Sequence, residues 1–209
     1  MSDTNELIER IEMFNEEILQ TRIKMNTLEN DLYNDVSELS ELGIEIWKDI
    51  KNFEGNYQIS NFGNIKNVKT LRILKAGTDS HGYKIVSLSR DGKIKYPRIH
   101  RLIALAFIPN PKNKTCIDHI NNKKLDNRLN NLRWVTSQEN NRNRSIGKRN
   151  TSTIKGVYFI QKSNKWRAHI TINGKKIHLG YFQNIEDAKE ARQIKAKILF
   201  GEYINQCEK

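Results

Sequence analysis

Four polar residues in the second half of the chain have the types and order of a metal-dependent site that acts on phosphate. Asp118 and His119 are adjacent, and Asn131 and Asn140 follow them. Carboxylate and amide oxygens are hard ligands that suit Mg²⁺, an ion that takes its remaining ligands from water and phosphate. A neutral imidazole can remove a proton from water near pH 7. We therefore predict that Asp118 and Asn140 hold the ion and that His119 activates the nucleophile.

The segment around these residues predicts a strand, a loop, a second strand and a helix. Residues 115–120 and 132–135 have the character of short strands, and a stretch rich in Asn and Lys separates them. Thr136 followed by Glu139 is the pattern of a capping box, which marks the start of a helix. This order places the Asp-His pair on the first strand, Asn131 at the entry to the second, and the last asparagine in the first turn or so of the helix.

The stretch before this segment predicts a small antiparallel sheet followed by one helix. Short apolar pieces, among them residues 71–74, 83–88 and 94–99, alternate with glycines and polar residues. Ser89-Arg90-Asp91-Gly92 has the pattern of a hairpin turn. From Ile99 to Phe107 the apolar residues change to helical spacing, and two prolines close that helix.

Four short stretches closely resemble the HNH nucleases, in the branch found in phage and intron homing endonucleases. They are His100-Arg101-Leu102, Asp118-His119-Ile120, Asn131-Leu132-Arg133-Trp134 and Gln138-Glu139-Asn140. The resemblance implies that His119 is the general base, that Asp118 is a metal ligand and that Asn131 orients the histidine and stiffens the loop. Asn140 stands where many relatives keep a second His. Because an amide binds metal more weakly than an imidazole, Mg²⁺ or Mn²⁺ is expected rather than a softer ion.

Three further residues near this site are harder to assign. His100 lies in a motif that such nucleases share, but a ring at the start of a helix is more often packed or facing phosphate, so we leave it out of the catalytic set. Arg128 and Arg133 are candidates for contacting phosphate near the scissile bond. Plain surface charge is the alternative for both arginines.

Residues 46–65 look like the amino-terminal module that often precedes this nuclease, a NUMOD4-like module. The similarity rests on Tyr57-Gln58-Ile59-Ser60-Asn61 and Gly63. It implies that this part of the chain helps to select the cleavage site.

Apolar residues in the first part of the chain repeat with the spacing of a coiled coil. The series is Leu7, Ile11, Phe14, Ile18, Met25, Leu28, Leu32, Leu39 and Leu42. This period of about 3.5 residues predicts one long helix that stops near Gly43. One such helix cannot bury its own seam, so we expect a homodimer or another coiled-coil partner. A helix folded back on the rest of the chain is the alternative.

The net charge of +12 is unevenly distributed, since residues 1–45 hold twelve acids and three bases. The remainder of the chain is therefore strongly basic and attracts a polyanion, for which double-stranded DNA is the expected partner. A solvated basic surface, or one facing anionic lipid, is the alternative. Residues 142–150 hold four bases and no acid, and they predict a linker in which Arg142 and Arg144 follow the phosphate backbone.

The last part of the chain predicts three strands and a helix. The strands are residues 156–160, 165–172 and 176–182, and Asn184 caps a helix that ends at Gly201. Asn173-Gly174 between the second and third strands predicts a tight hairpin. Alternation along the strands places apolar residues against the helix and basic or hydrogen-bonding residues on the outward face.

This last part resembles the AP2 DNA-binding domain in Gly156-Val157-Tyr158, Lys165–Ile170, Leu179–Phe182 and Glu186-Asp187-Ala188. The resemblance implies that the outward face of the three strands meets DNA, as a small sheet that fits the major groove. The matching positions are Lys155, Tyr158, Lys165, Arg167, His169, Thr171, Lys176 and His178. AP2 domains often have arginines and a tryptophan where this chain has Tyr158, Thr171 and His178, so the target sequence is not transferable.

The predicted fold class is α+β, in five parts. They are a coiled-coil helix at 1–43, a NUMOD4-like β module at 44–98, a ββα-metal HNH nuclease core at 99–141, a basic linker at 142–154, and a three-stranded sheet plus helix, the AP2-like domain, at 155–204. Because the four site residues precede the last part, a chain cut after Arg149 is expected to bind DNA more weakly but to retain cleavage at high enzyme concentration and low salt.

The sequence favours a homing-type DNA endonuclease that hydrolyses phosphodiester bonds with Mg²⁺ or Mn²⁺. The competing hypothesis is a non-catalytic DNA-binding protein or transcription regulator on a degenerate HNH scaffold, and the four intact site residues argue against it. RNA as substrate is disfavoured only by the resemblance.

The chain shows no secretory signal, no apolar run of membrane-spanning length and only two cysteines. We expect a cytoplasmic protein of a bacterial host, encoded by a phage or mobile element, with no membrane partner.

Overall fold

A computed structural model describes residues 2–143, 150, 152–172 and 174–205. The chain divides into two compact units: a first unit of Met1–Asn113 with Asn127–Asn130, and a second unit of Lys114–Asp126 with Asn131–Lys209. Long and short helices combine with several small antiparallel sheets, which confirms the predicted α+β class. Arg144, most of the predicted linker, and Asn173 of the predicted hairpin lie outside the described residues.

The first unit begins with helix α1, Ser2–Glu41, which ends just before Gly43 at φ +78°. Residues of the predicted coiled-coil seam are each at least half exposed over most of its length: Ile11, Phe14, Ile18, Met25, Leu28 and Leu32. Val36, near the end of the helix, is only 4% exposed. The rest of the first unit therefore does not cover the seam from Ile11 to Leu32. Among the described residues, no helix combines the length and apolar character needed to cross a membrane.

A three-stranded antiparallel sheet follows in the NUMOD4-like region. It consists of β1, Trp47–Asp49, β2, Tyr57–Ser60, and β3, Ile65–Asn67, with β2 in the middle. Ile59 on β2 and Ile65 on β3 are paired and fully buried, because alternate residues of these strands face the interior.

Asn61, directly after β2, joins three separate pieces of the first unit through its side chain and backbone. Its Oδ1 accepts a hydrogen bond from the Ile46 amide at 2.9 Å, and its Nδ2 donates to Ser40 Oγ at 2.5 Å. Its carbonyl accepts from the Leu129 amide at 2.9 Å. The asparagine of the NUMOD4-like motif therefore has a structural role in the described chain.

Two small hairpins separate this sheet from the next helix. The first pairs β4, Gly77–Thr78, with β5, Lys84–Ile85, and the second pairs β6, Leu88–Arg90, with β7, Lys93–Lys95. Both turn residues of the second hairpin have positive φ, at +51° and +71°, as a type I′ turn requires.

Three of the predicted strands in this region were wrong in extent. The one predicted at 94–99 ends at Lys95, and beyond it Arg98 forms only an isolated bridge, with Ile85. The predicted strand at 71–74 is reduced to a single bridge between Ile73 and Lys66. The one predicted at 83–88 is divided between β5 and the start of β6. Helix α2, Ile99–Phe107, has the predicted bounds and buries Ile103 and Ala104 completely.

The second unit contains the predicted strand, loop, strand and helix. They are β8, Cys116–His119, β9, Leu132–Val135, and α3, Ser137–Arg142. The capping box is present: Thr136 Oγ1 accepts from the Glu139 amide at 3.2 Å, and a Glu139 carboxylate oxygen accepts from the Thr136 amide at 2.6 Å.

The second unit also contains the predicted three strands and helix. Strands β10, Val157–Ile160, β11, Lys165–Ile172, and β12, Lys175–Phe182, form an antiparallel sheet in that order. Helix α4, Ile185–Phe200, covers one face, and its cap Asn184 accepts from a backbone amide three residues on at 2.9 Å. The core between sheet and helix contains Val157, Ala168, Ile170, Ala188, Ala196 and Phe200.

A β-bulge shifts the register of β11 and β12 between Ala168 and His169. Up to the bulge, Lys176 and His178 lie on the outward face, as strict alternation predicts. Beyond it the alternation is reversed, so that Phe182 packs in the core while Tyr181 is exposed opposite Arg167. Strict alternation would have given the opposite orientation for these two aromatic residues.

Candidate active site

Asp118 and Arg133 form a close ion pair across the β8–β9 ladder, where they are direct partners. Arg133 Nε and Nη2 donate to Asp118 Oδ2 at 3.1 and 2.9 Å. The Asp118 residue is 5% exposed, so the guanidinium offsets the charge of a carboxylate that water scarcely reaches. Arg133, which was predicted as a candidate for phosphate contact, therefore forms an ion pair with Asp118, the predicted metal ligand.

Asn143, which the sequence analysis did not single out, also binds this carboxylate. Its Nδ2 lies 2.9 Å from both Asp118 oxygens and 3.1 Å from the His119 carbonyl, and the residue is 1% exposed. It is the C-cap of α3, three residues after Asn140. Because residues three apart lie on the same side of a helix, that spacing was the available signal.

His119 is the last residue of β8 and is buried. Its carbonyl accepts from the Asn122 amide at 2.8 Å, so the chain turns directly after it. Asn122 has φ +59°, a conformation that asparagine adopts more readily than most residues. The predicted general base therefore lies where the strand ends and the loop begins.

Asn131 holds that loop together through its side chain. Its Nδ2 donates to the Asp126 carbonyl at 2.7 Å and to Asn121 Oδ1 at 3.0 Å, while its own Oδ1 accepts from the Asn121 amide at 3.0 Å. The Ile120 amide donates to its carbonyl at 2.9 Å. These bonds support the loop-stiffening role that the resemblance implies.

Asn140 lies in the first turn of α3, half-buried, with its amide donating to the Thr136 carbonyl at 3.0 Å. The described side-chain bond from this helix to Asp118 comes from Asn143. Asn140 as a metal ligand therefore stays a prediction.

The donor set fits a hard divalent ion that is held partly by substrate and water. Within the described ranges, no cluster of three or more His, Cys, Asp or Glu side chains could ligate a metal. Asp118 Oδ1 accepts one hydrogen bond from a described residue, and a carboxylate oxygen has room for a second partner. One carboxylate, together with the amide oxygen predicted at Asn140, is the kind of protein contribution that Mg²⁺ or Mn²⁺ uses.

The start of α3 is fixed by a second ion pair, between Lys114 and Glu139. Lys114 Nζ lies 3.0 Å from a Glu139 carboxylate oxygen and donates to the Tyr203 hydroxyl at 2.9 Å. Burial alone would lower the pKa of Lys114, but these two hydrogen bonds outweigh burial and raise it. Burial alone would raise the pKa of Glu139, but the Thr136 amide and Lys114 outweigh burial and lower it.

Three other predicted or considered residues have clear positions. His100 is buried in the first unit, with its ring 4.9 Å from that of Tyr83, so it is packed. Arg128 is exposed in the first unit. The Arg142 guanidinium lies over the Phe200 ring at 5.4 Å, in the second unit.

The outward face of the three-stranded sheet gathers most of the predicted DNA-binding residues. Register pairs Tyr158 with Arg167, His169 with His178, and Thr171 with Lys176. Tyr181, which the prediction omitted, joins them and contacts the His178 ring at 4.7 Å. Lys165 begins β11, whereas Lys155 precedes the sheet and donates to the Arg142 carbonyl at 2.8 Å.

His169 is the most constrained residue of this face. Its Nδ1 donates to the Gly156 carbonyl at 2.8 Å, and the Tyr158 hydroxyl lies 2.6 Å from Nε2. Burial lowers the pKa of His169, and the neighbouring positive charges of Lys176 and Arg192 lower it further. Its ring is therefore less readily protonated than a free imidazole.

A buried Asp-His pair on the first of two antiparallel strands, followed by a short capped helix, is the arrangement expected of a ββα nuclease core. Residues 98–142 match the model of the HNH endonuclease family, and residues 45–89 match that of the NUMOD4 motif. Both resemblances stated from the sequence are thereby confirmed, while the AP2 resemblance stays a prediction.

Several known proteins, among them HNH and phage endonucleases, are similar to this chain in sequence. The DNA endonuclease I-HmuI of Bacillus phage SP01 is 37% identical over 116 residues, which are 55% of this chain and 67% of that protein. An HNH endonuclease, L247, of Acanthamoeba polyphaga mimivirus is 45% identical over 100 residues, 46% of this chain and 25% of the relative. Protein 3.8 of Escherichia phage T7 is 37% identical over 83 residues, 39% and 68% of the two chains.

The solved structure described as DNA binding and cleavage by the HNH homing endonuclease I-HmuI aligns with a TM-score of 0.45 and 28% identity. That alignment covers 75% of this chain and 91% of the other. The 37% identity to I-HmuI over two-thirds of that enzyme's length shows that the chain belongs to the HNH endonuclease family. It spans a quarter of the length of the mimivirus relative and two-thirds of that of the phage enzyme.

Proposed function

We propose that this protein is a homing-type endonuclease that hydrolyses phosphodiester bonds in double-stranded DNA. The observation that carries the proposal is the buried Asp118–His119 pair at the end of β8, inside the region that matches the HNH endonuclease model. The printed names of its relatives, among them a phage DNA endonuclease, point in the same direction. The basic character of residues beyond 45 suits a DNA substrate.

In this proposal His119 removes a proton from the attacking water, and Asn131 stiffens the loop beside it. Asp118 and Asn140 would hold Mg²⁺ or Mn²⁺, which when bound stabilises charge on the phosphate and on the leaving oxygen. Arg133 keeps the Asp118 carboxylate compensated and in place. A wrongly placed carboxylate would cost rate, because catalysis depends on preorganised charge.

We further propose that the outward face of the β10–β12 sheet contacts DNA. It is an antiparallel sheet of suitable size with a helix on its other side, and it exposes basic, hydroxyl and aromatic groups. Lys165, Arg167, Thr171 and Lys176 would supply contacts there, together with Tyr158, His169 and His178. Arg128, Arg142 and Arg144 would contact phosphates outside the sheet, and the target sequence is left open.

The exposed seam of α1 would pair with a second copy of the chain. Seam residues from Ile11 to Leu32 are at least half exposed, and their 3.5-residue repeat is the one that two-stranded coiled coils bury. We also propose that the chain consists of five functional parts, with boundaries after residues 43, 98, 141 and 154. Because two of its relatives are phage proteins, we propose that a phage or mobile element encodes this protein and that it acts in a bacterial host.

The test is incubation of supercoiled plasmid and of source-genome DNA with the protein and Mg²⁺, with and without chelator. Wild-type protein should give mapped cuts that the chelator abolishes. His119→Ala should lose cleavage to below a few per cent while keeping its DNA affinity, because a neutral base contributes little to phosphate binding. His81→Ala, a change of an exposed histidine in the first unit, is the matched control.

Tight DNA binding by the wild-type protein without cleavage under any divalent ion would reject the enzyme and favour a non-catalytic DNA-binding protein.

A further inference from the structure

The five residues that follow α4, Gly201–Asn205, contact the nuclease core at two places. We call them the carboxyl-terminal segment. Gly201–Tyr203 form a 3-10 turn that packs near α3. Tyr203 contacts Arg133 and Asn205 contacts Asn143, and these two residues in turn hold Asp118. Both contacts lie inside the second unit.

The first contact runs through Asn205 and Asn143. Asn205 Nδ2 donates to the Asn143 carbonyl, and it lies 3.3 Å from Asn143 Oδ1. Asn205 is 3% exposed, so its amide has little access to water. A buried amide that is hydrogen-bonded has a fixed orientation, since leaving it unpaired is costly. The bond therefore holds Asn143, whose Nδ2 lies on both Asp118 oxygens.

The second contact runs through Tyr203 and Arg133. The Arg133 guanidinium carbon lies 4.7 Å from the centre of the Tyr203 ring, within the range of a cation–π interaction. The Tyr203 hydroxyl accepts from Lys114, whose Nζ also bonds Glu139. Tyr203 thus packs against the same guanidinium that forms the ion pair with Asp118.

The segment is itself anchored in the core of the sheet-and-helix part. Ile204, between the two contact residues, is buried with Ile170, Ala196 and Phe200. Burial of this isoleucine side chain stabilises the segment against the core, and its chain neighbours are held with it. The position of Tyr203 and Asn205 is therefore set by the core beneath β11 and α4.

We propose that Tyr203 and Asn205 are positioning residues of the nuclease site. They hold Arg133 and Asn143 on Asp118, so that the carboxylate is correctly placed to receive a divalent ion. This inference rests on the proposed function, and it makes the sheet-and-helix part necessary for the chemistry as well as for DNA binding. It replaces the expectation that a chain cut after Arg149 retains cleavage.

Partners that hydrogen-bond a ligating side chain typically contribute about 10–100-fold to metal affinity or activity. Three substitutions test this. Asn205→Leu keeps a similar volume and adds no charge but removes the donor, and Tyr203→Ala removes the ring. Tyr203→Phe keeps the ring and removes the hydroxyl. Ile198→Ala, an exposed position on α4, is the control.

Four quantities are measured for each protein: the single-turnover cleavage rate at saturating enzyme, DNA affinity in chelator, thermal unfolding in chelator, and Mn²⁺ affinity of the DNA-free protein by electron paramagnetic resonance. Asn205→Leu and Tyr203→Ala should lower the cleavage rate and the Mn²⁺ affinity by about 10-fold or more. Their DNA affinity should stay within about twofold of wild type, because neither residue contributes charge to phosphate binding. Tyr203→Phe should recover most of what Tyr203→Ala loses.

A wild-type cleavage rate and Mn²⁺ affinity in Asn205→Leu and Tyr203→Ala would overturn the inference, and so would losses confined to DNA affinity. If Tyr203→Ala does not fold, Asn205→Leu decides. Should the wild-type protein fail to cut DNA, the proposed function is what fails, and the Mn²⁺ measurement still decides the positioning role.

Discussion

Asp118 and Arg133 face each other across two antiparallel strands, with a guanidinium nitrogen 2.9 Å from the carboxylate. The predicted metal ligand is therefore charge-compensated before any cation arrives. Coulomb attraction between two such groups is strong because both are largely shielded from water. An arriving cation adds to this arrangement and need not create it.

Arg133→Met should lower the free energy of unfolding in chelator by about 3 kcal/mol, because it leaves a buried carboxylate without its countercharge. Mg²⁺ or Mn²⁺ should then stabilise the variant less than wild type, since the Asp118 carboxylate is no longer held in position to receive the ion. Urea unfolding with and without the ion measures both effects. Arg72→Met, at an exposed position, is the control. Equal stabilisation by the ion in variant and wild type would contradict the role of Arg133 in positioning Asp118 for the ion.

Glu139 makes acid stability sensitive to one carboxylate. Its pKa is lowered in the folded protein, so its contribution is fully present above the unfolded value of about 4.3 and is lost as pH falls through the lower folded pKa. Glu139→Gln can keep the capping box but loses the charge, so the free energy of unfolding should decrease less steeply below about pH 4.5. Urea unfolding between neutral and acid pH compares it with Glu190→Gln, at an exposed position. If the free energy of unfolding has the same pH dependence in Glu139→Gln and Glu190→Gln, the charge of Glu139 does not contribute to acid stability.

The oligomeric state should depend on α1 only up to about residue 31. Removing residues 2–31 should convert a dimer to a monomer and leave the first unit folded, because buried Val36 and the Ser40–Asn61 hydrogen bond are kept. A deletion through residue 43 would remove both. Leu28→Lys on the seam should have the same effect on mass by light scattering, whereas Asn30→Lys on the opposite side should not. A monomeric wild-type protein would reject the coiled-coil dimer.

DNA affinity should depend on both Arg167 and Tyr181, in distinguishable ways. Arg167→Ala should weaken DNA binding. If Arg167 contacts phosphate, the slope of log K against log salt concentration should decrease by about one. If Arg167 reads a guanine, the variant should lose about 1–3 kcal/mol of binding free energy at that one base. Tyr181→Ala should weaken binding with an unchanged salt slope, since it removes no charge. Ile194→Ala, exposed on α4, is the control. Wild-type affinity in both variants would remove the sheet from the DNA interface.

Local patterns in the sequence were sufficient for the elements around the site. The α2 bounds followed from helical spacing, and the α3 start followed from Thr136 and Glu139, because both signals lie within one or two turns of chain. The two strands β8 and β9 were predicted to within a residue or two for the same reason.

Contacts that depend on register or on distant residues were not predictable. Tyr181 turns outward because β12 has an extra residue, Leu179, between the partners of Ala168 and His169, and alternation counted from the sequence cannot detect such a bulge. Arg133 reaches Asp118 because of the pairing register, which single-strand patterns leave open. Asn205 is far from Asn143 in the chain, and only the tertiary fold brings the two amides together.

Asn127–Asn130 belong to the first unit although the stretches on both sides belong to the second. Leu129 in this short return is fully buried, and its amide bonds to Asn61. During synthesis the first unit therefore cannot close until residue 130 has left the ribosome, by which time β8 has already emerged. Recombination between relatives at a single crossover near residue 113 would separate this return from its partners, so the exchangeable piece must extend at least through residue 130.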